Sequence, residues 1–431
     1  MRVTHIITRL VVGGAQENTL ATINGLRQMP GVEVKLISGP TIGPEGSLEN
    51  EARKIFSPAL AQRQSFGVPA SAGSDAPHVS GNRLKPEFQT EVHGKNDSSE
   101  FTIIPELVRP VHPLKDFTAL RQLEKLLREQ KPDLVHTHSG KAGILGRLAA
   151  KRAGVPVIIH HIHGPSFGPF QGAQANFIFT AAERRAAQVT DHFFCSASAM
   201  TKLYLAAGIG KPEIFTRIFS GFRLEPFLHT TNDLALRRKL GFDAHHFVIG
   251  KIGRIFRLKG HADLLAAFAK ILPQIPHARL LFVGDGALRG EIENQIRALG
   301  LDGKVVFTGL VPPGEVARYV GIMDCLAHFS YREALSRALP QALAAGKPVV
   351  AYDFDGADEV CLENETGFVV RTGDTETAAK RLVQLANDAA LREQFGKRGQ
   401  QFVRENFSVE KMVADQYTVY QKLAAERGLH A

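Results

Sequence analysis

Cysteine is scarce in this chain, with three residues among 431. Cys195, Cys325 and Cys361 are far apart and lie in or near apolar segments. Disulfide frameworks and cysteine-based metal sites need a denser or more regular cysteine pattern, so the sequence disfavours both. We expect three reduced cysteines in the protein core.

Long apolar segments are missing as well. No stretch approaches the roughly 18 apolar residues of a membrane-spanning helix. The N-terminal residues Met-Arg-Val-Thr-His-Ile-Ile-Thr-Arg contain too short an apolar run for a signal peptide. We therefore expect a cytoplasmic protein.

Acidic residues are absent from residues 134–182, although the whole chain has 43 of them against 52 lysines and arginines, a net charge of +9. The same stretch carries Lys141, Arg147, Lys151, Arg152 and five histidines. This pattern fits a solvated basic face, an anionic substrate, or peripheral contact with the anionic inner face of a membrane. No nucleic-acid-binding motif accompanies the charge, so we expect no nucleic acid partner.

Strand-like apolar runs alternate with amphipathic helical patterns along most of the chain, which is typical of parallel α/β sheets. Because 431 residues are too many for one ordinary core, we predict two doubly wound domains. Ligands bind beyond the carboxyl ends of such strands, which predicts a site in the cleft between the domains. The predicted strands are 3–8, 34–38, 101–105, 134–137, 156–161, 192–196, 247–253, 279–283, 305–308, 325–328 and 348–352.

The joint between the domains is predicted within residues 220–232. A first Rossmann-like domain then comprises 1–225 and a second comprises 226–408. The last segment, 409–431, is expected to form a helix that packs back on the first domain. Residues 57–99 are rich in Ser, Pro, Gly, Asn and Gln without periodicity, so we expect a flexible surface insertion there.

Arg254 and Lys259 follow a predicted strand in the segment from Gly253 to Gly260, just before a helical pattern. Such cations favour phosphate, because the free N–H groups and the dipole of the helix add to the side-chain charge. A later segment is expected to open a helix with Glu333 and to present Gln341 eight residues on. Since a carboxylate can accept hydrogen bonds from sugar hydroxyls, the two segments together predict a nucleotide-sugar site.

Two glycine turns connect predicted strands to helices. Gly13 and Gly14 follow the first strand and could let a ligand approach the backbone. Gly284 and Gly286 make a similar turn, against which a nucleotide could pack or which could be purely structural. The first turn lacks the three spaced glycines of a dinucleotide fingerprint, and no suitable acidic residue ends the second strand, so a nicotinamide-binding domain is disfavoured.

Three histidines, His160, His161 and His163, lie at the end of the predicted strand 156–161. A histidine that faces the cleft at this edge can hydrogen-bond a hydroxyl group, and we favour His163 for that role. Strand alternation puts His161 on the opposite face from His160, and no carboxylate or thiolate is close in sequence, so a metal site is disfavoured. We expect His160 and His161 to be structural.

With these motifs in this order, the chain resembles the retaining glycosyltransferases of family 4 (glycosyl transferases group 1), which have the GT-B fold. The resemblance covers most of the chain apart from 57–99. It rests on the segments above, on His163-Gly164, and on the run Ala344-Ala345-Gly346-Lys347-Pro348-Val349-Val350-Ala351. It implies two Rossmann-like domains that face each other across a cleft.

The resemblance also implies residue roles. Arg254 and Lys259 would hold the donor diphosphate and stabilise the charge that develops as it leaves. Glu333 would accept hydrogen bonds from the donor sugar, and His163 would contact that sugar near the reacting carbon, which completes a predicted catalytic set of four. The predicted donor-binding residues are Gly13, Gly14, Gly284, Gly286, Ala334, Leu335 and Gln341. No metal ligand and no cofactor are expected.

Two residues depart from the family pattern. Gln341 stands where the family usually has a second glutamate for the ribose hydroxyls; it keeps an acceptor oxygen but loses the charge, so we expect altered nucleotide binding. Ala334 replaces a common glycine and would narrow the sugar pocket. Asp353 and Asp355 resemble the metal-binding Asp-x-Asp of another glycosyltransferase architecture, but they follow a strand of the second domain, so we favour ordinary loop acids.

The leading hypothesis is a metal-independent hexosyltransferase. It would move a sugar from a nucleoside diphosphate to a saccharide or lipid-linked acceptor, with retention of configuration, in cell-surface polysaccharide or glycolipid biosynthesis. A nucleotide-sugar epimerase of the same fold and a non-catalytic binding or scaffold protein stay as alternatives. The intact set of Arg254, Lys259, Glu333 and His163 favours transfer.

Overall fold

A computed structural model of the protein describes residues 1–41, 46–57, 100–168 and 171–429. Two parallel β-sheets with interleaved helices confirm the predicted α/β fold with two doubly wound domains. Residues 58–99, nearly all of the predicted insertion 57–99, lie outside the described residues.

Among the described residues, the first sheet contains seven strands. They are β1 (Arg2–Ile7), β2 (Glu33–Ser38), β3 (Phe101–Ile103), β4 (Leu134–His138), β5 (Val157–Ile162), β6 (His192–Cys195) and β7 (Phe215–Arg217). The spatial order is β3-β2-β1-β4-β5-β6-β7, and every pairing is parallel. The helices described in this half are α1 (Gly14–Leu26), α2 (Glu49–Ile55), α3 (Pro113–Gln130), α4 (Gly140–Ala153), α5 (Ala173–Ala187) and α6 (Ser198–Ala206).

Within the part of the chain that the structure describes, the second sheet contains six strands. They are β8 (Phe247–Ile252), β9 (Ala278–Val283), β10 (Val305–Phe307), β11 (Cys325–His328), β12 (Val349–Tyr352) and β13 (Gly367–Val370), in the order β10-β9-β8-β11-β12-β13. Its helices begin with α7 (Glu225–Leu228), α8 (Leu234–Lys239), α9 (His261–Ile271) and α10 (Arg289–Ala298). The rest are α11 (Val316–Gly321), α12 (Ala338–Ala344), α13 (Thr375–Asn387) and α14 (Ala389–Asn406), and the C-terminal helix α15 (Val409–Glu426) follows them in the chain.

All eleven predicted strands are present, with end positions shifted by one or two residues. Two strands were not predicted, β7 and β13. The first has three residues, Phe-Thr-Arg, and the second has four, too few to show a clear alternation of apolar and polar residues.

The C-terminal helix α15 packs against α1 of the first half. The side chain of Val413 fills the space that a side chain at Gly25 would need, because a Cβ at Gly25 would lie 2.7 Å from Val413 Cγ2. Tyr420 is buried, and its hydroxyl lies 2.5 Å from Nδ1 of His136, a residue of β4. The domain boundaries at 225/226 and 408/409 stay predictions.

One member of the basic stretch is not part of a solvated face. Arg147 is fully buried and pairs with Glu183, which is also fully buried, with 2.6 Å between Nη2 and the carboxylate oxygen. The acid lies just beyond the acid-free residues 134–182, on α5, so a count restricted to that stretch could not reveal the pair. Lys141 likewise pairs with Asp116, at 2.6 Å.

The three cysteines are buried and unpaired, as predicted. Burial raises the pKa of each thiol above its ordinary value, so all three are protonated at neutral pH. In the part of the chain that the structure describes, no helix combines the length and the apolar character needed to cross a membrane.

Candidate active site

The two sheets face a cavity of about 570 Å³. The start of α1 lines one side, and the loops after β8, β9 and β11 line the other. The predicted site residues that line it are Gly14, Arg254, Lys259, Gly284, Glu333 and Gln341. The structure thus brings together the two segments that predicted a nucleotide-sugar site.

Lys259 and Glu333 form an ion pair in this cavity. The same carboxylate oxygen also lies 2.8 Å from Oγ of Ser330 and 3.1 Å from Nε2 of His328. Burial alone would raise the pKa of Glu333, but the charges and hydrogen bonds of His328 and Lys259 hold it well below its usual range. Glu333 is therefore an anion at neutral pH, which suits an acceptor of hydrogen bonds.

Glu333 lies in a loop, so the prediction that it opens a helix is wrong. Helix α12 begins at Ala338. The ring of Pro340 would clash with the carbonyl group of Ser336 if the helix extended back through that residue. Because Glu333 lies in the loop before α12, its side chain can reach Lys259.

Close backbone packing explains how Lys259 comes to lie beside Glu333. The N–H of Tyr331 donates a hydrogen bond to the carbonyl of Leu258, at 2.9 Å. Gly260 has a φ of +63°, and a Cβ there would lie 1.7 Å from the carbonyl oxygen of Phe329. The loop after β8 can therefore rest on the end of β11 only with glycine at this position.

The turn at Gly284 has a comparable structural cause. Its φ is +137°, and a Cβ there would lie 2.2 Å from the carbonyl oxygen of Gly253. The turns after β8 and β9 thus contact each other through bare backbone, and glycine is required whether or not a nucleotide packs there.

His163 lies in a second cavity, of about 820 Å³, lined mainly by the first half of the chain. Arg254 lines both cavities, so they adjoin at this residue. Burial lowers the pKa of His163 to about 3, which keeps the imidazole neutral. The neighbouring His160 is buried, with Nδ1 2.9 Å from Oγ1 of Thr137, in agreement with a structural role.

Four predicted donor-binding residues line neither cavity: Gly13, Gly286, Ala334 and Leu335. Ala334 is buried in an apolar cluster with Phe167 of the first half. Leu335 packs against the core of the second half. Asp353 accepts hydrogen bonds from the N–H and the hydroxyl of Thr372, both at 2.6 Å, as an ordinary loop acid does.

Sequence reasoning missed an ion pair that joins the two halves. Arg337 donates to Glu17 at the start of α1, and both line the cavity with Lys259 and Glu333. A Cβ at Gly14 would lie 3.1 Å from Cδ of Arg337, so the glycine turn also makes room for this contact. Such a pair depends on how the two domains meet, and no local pattern in the sequence encodes it.

Two family models match the chain. The one described as glycosyl transferase 4-like domain matches residues 13–216, and the one described as glycosyl transferases group 1 matches residues 232–402. The chain belongs to the glycosyl transferases of group 1. The resemblance read from the motifs is therefore confirmed, and the protein is a glycosyltransferase with the GT-B fold.

Curated relatives of this glycosyltransferase have moderate identity. The Escherichia coli UDP-Gal:alpha-D-GlcNAc-diphosphoundecaprenol alpha-1,3-galactosyltransferase is 28% identical over 300 residues, which cover 69% of this chain and 77% of that protein. The putative glycosyltransferase EpsD of Bacillus subtilis is 28% identical over 74% of this chain and 84% of its own.

Solved structures share the fold over nearly the whole chain. HepE of Anabaena, crystallised with UDP, gives a TM-score of 0.74 at 20% identity and covers 98% of this chain and 100% of its own. Sucrose-phosphate synthase of Thermosynechococcus elongatus gives a TM-score of 0.74 at 19% identity and covers 99% of this chain and 100% of its own. At this identity the likeness shows the GT-B fold alone.

A buried lysine lies in the second sheet of this glycosyltransferase. Lys251 on β8 is 2% exposed, and its Nζ has no hydrogen-bond partner among the described residues. Burial lowers its pKa to about 7. The charged groups that act on it are Glu333, Lys259 and Asp263.

Replacing Lys251 by methionine should change the pH dependence of stability. The unfolded chain binds this proton below pH 10.5 and the folded chain only below about 7, so the parent loses stability as the pH falls between these values. Urea unfolding should therefore find Lys251→Met increasingly more stable than the parent, by about 1.4 kcal/mol per pH unit, from pH 10 down to 7. Lys239→Met, at an exposed site, should show no such trend. A constant difference for Lys251→Met over this range would contradict the assignment.

Proposed function

We propose that this glycosyltransferase moves a hexosyl group from a nucleoside-diphosphate sugar to a saccharide or lipid-linked acceptor, with retention of configuration. The observation that carries the proposal is the position of Arg254, which lines both the cavity with Lys259 and Glu333 and the cavity with His163. A donor whose diphosphate lies at Arg254 and Lys259 would hold its sugar where the two cavities adjoin. The larger cavity would take the acceptor.

In this proposal Arg254 and Lys259 bind the diphosphate and stabilise its growing negative charge as the bond to the anomeric carbon breaks. Lys259 exchanges its bond to Glu333 for one to a phosphate oxygen, and the freed carboxylate accepts from sugar hydroxyls. The acceptor oxygen attacks the anomeric carbon on the face that the phosphate leaves, and a phosphate oxygen takes the acceptor's proton. Gln341 would contact the ribose, and His163 the sugar.

The proposed transfer needs no metal ion, since two fixed cations serve the diphosphate. Support for the acceptor class comes from the relatives: the name of the Escherichia coli enzyme specifies a diphosphoundecaprenol-linked sugar, and CapM of Staphylococcus aureus is named for capsular polysaccharide biosynthesis. We extend the same acceptor class to this chain, with action at the cytoplasmic face of a membrane.

Incubation of the full chain with a panel of nucleotide sugars and a cell-envelope extract tests the proposal. The expected result is a glycosylated product with the donor's anomeric configuration by NMR, at a rate that a chelator does not lower. An inverted product would refute retention, and a rate lost on chelation would refute metal independence. Formation of the epimeric sugar from the nucleotide sugar without an acceptor would identify an epimerase. Binding of the nucleotide sugar without turnover would identify a scaffold protein.

We also propose that exposed apolar residues beside the larger cavity contact an anionic membrane. They are Val111, Leu114, Phe117, Phe177 and Ile178. Arg109 lines the same cavity, and its charge suits anionic lipid headgroups.

The double change Phe177→Ser and Ile178→Ser should weaken binding to anionic vesicles by about tenfold or more, because two apolar side chains lose their place in the interface. Vesicle flotation measures this binding. The matched control is Leu234→Ser with Leu299→Ser, two exposed residues of the second half, which should bind as the parent does. Equal flotation of both double variants would contradict the surface.

A further inference from the structure

Five histidines form one cluster on a single face of the first sheet. His5 is on β1, His136 and His138 are on β4, and His161 and His163 lie at the end of β5. Alternation along adjacent strands puts them on the same face. The first four are fully buried.

Three of these histidines bring ring nitrogens close together. One nitrogen from each of His138, His161 and His163 lies within 4.8 Å of the other two. Nδ1 of His138 is 3.0 Å from Nε2 of His163, and the ring of His161 stacks on that of His163 with 3.9 Å between centroids. Neither nitrogen of His161 has a hydrogen-bond partner within the described residues.

This arrangement has the chemistry of a metal site. Each of the three imidazoles has a ring nitrogen that can offer a lone pair to a metal ion. The other ring nitrogen of His138, Nε2, lies 2.9 Å from Nδ1 of His5, the kind of outer contact that orients metal-binding histidines. His163 lines the larger cavity, which gives an ion a way in and leaves a fourth position for water.

We propose that His138, His161 and His163 bind a divalent transition-metal ion, with zinc as the expected ion. Occupancy would tie up His163, so zinc would inhibit sugar transfer reversibly; this consequence, unlike the binding itself, rests on the proposed function. The sequence argument against a metal considered only neighbours along β5, whereas His138 comes from the adjacent strand.

Zinc binding to the chelator-treated full chain tests the proposal without an activity assay. Isothermal titration should find one tight site per chain, and His161→Phe should weaken it by at least about 100-fold, since even outer contacts are worth 10- to 100-fold. A second group with metal-like spacing, Asp243, His245 and His246, lies elsewhere, so His245→Ala serves as the control and should leave the tight site intact. Loss of the tight site in His245→Ala but not in His161→Phe would overturn the proposal.

X-ray absorption of the zinc-loaded parent keeps the test decisive should His161→Phe fail to fold. Three imidazole nitrogens at about 2.0–2.1 Å would support the site. A shell dominated by carboxylate and water oxygens, or no zinc retained at micromolar concentration, would overturn it. Binding with the expected ligands but without inhibition of transfer would leave the site standing and remove the inhibitory role of His163.

Discussion

Replacing Glu333 by glutamine should lower the rate of sugar transfer by about 10- to 150-fold, because hydrogen bonds to a charged group contribute about 1.5–3 kcal/mol. Glutamine keeps the shape and one acceptor oxygen but presents no negative charge to the sugar hydroxyls. It also leaves Lys259 and His328 without the anion that they contact. The rate of product formation at saturating donor measures the effect.

Glu333→Gln should affect the affinity for free nucleoside diphosphate differently from the transfer rate. The diphosphate binds through Arg254 and Lys259 in this account, so Glu333→Gln should leave that affinity unchanged or slightly higher, because Lys259 no longer has a competing partner. Gln341→Glu supplies a matched change of opposite sign in the same cavity, and it should bind the nucleotide as tightly as the parent or more tightly. Equal transfer rates for Glu333→Gln and the parent would refute the role of this carboxylate.

Replacing Glu183 by alanine should destabilise the protein by about 3–5 kcal/mol, because it leaves a buried guanidinium without its counter-ion. The hydrogen bonds that Arg147 keeps among the described residues are to neutral groups, the carbonyl of Gly143 at 2.7 Å and the hydroxyl of Thr190 at 3.4 Å. Ser166, which lines the larger cavity, also loses its bond to Glu183. Denaturant unfolding of the parent and the variant measures the difference.

The matched control is Glu129→Ala, which removes the acid of an exposed pair with Lys125 and should cost less than about 1 kcal/mol. The double change Arg147→Met with Glu183→Leu removes both buried charges and should be less destabilised than Glu183→Ala alone. If the double variant were the less stable of the two, packing and not the uncompensated charge would explain the loss.

Much of the fold could be predicted because it is encoded locally. Each long strand is a short apolar run bounded by turns, and the runs alternate with helical patterns. Strand β7 was not predicted because three residues show no pattern, and the prediction for the start of α12 was wrong because Pro340 keeps Ser336 out of the helix. The sequence did not predict contacts across the cleft, such as that between Glu17 and Arg337.

The candidate site shows the same difference between features encoded locally and features that depend on the folded structure. Arg254, Lys259 and Glu333 were found because each lies in a recognisable segment at the end of a strand. His328 and Lys251 were missed, because their importance comes only from burial beside Glu333. The histidine cluster was missed for a related reason: pairing of β4 with β5 brings His138 to His161, and linear spacing along one strand does not reveal it.

Isothermal titration with UDP, GDP, ADP, CDP and TDP tests the central claim most directly. The account predicts that the full chain binds at least one of these nucleotides, that Lys259→Ala weakens the binding by about tenfold or more, and that Lys239→Ala does not change it. No detectable binding of any of the five at millimolar concentration, or equal affinity for Lys259→Ala and the parent, would contradict a donor site at Arg254 and Lys259.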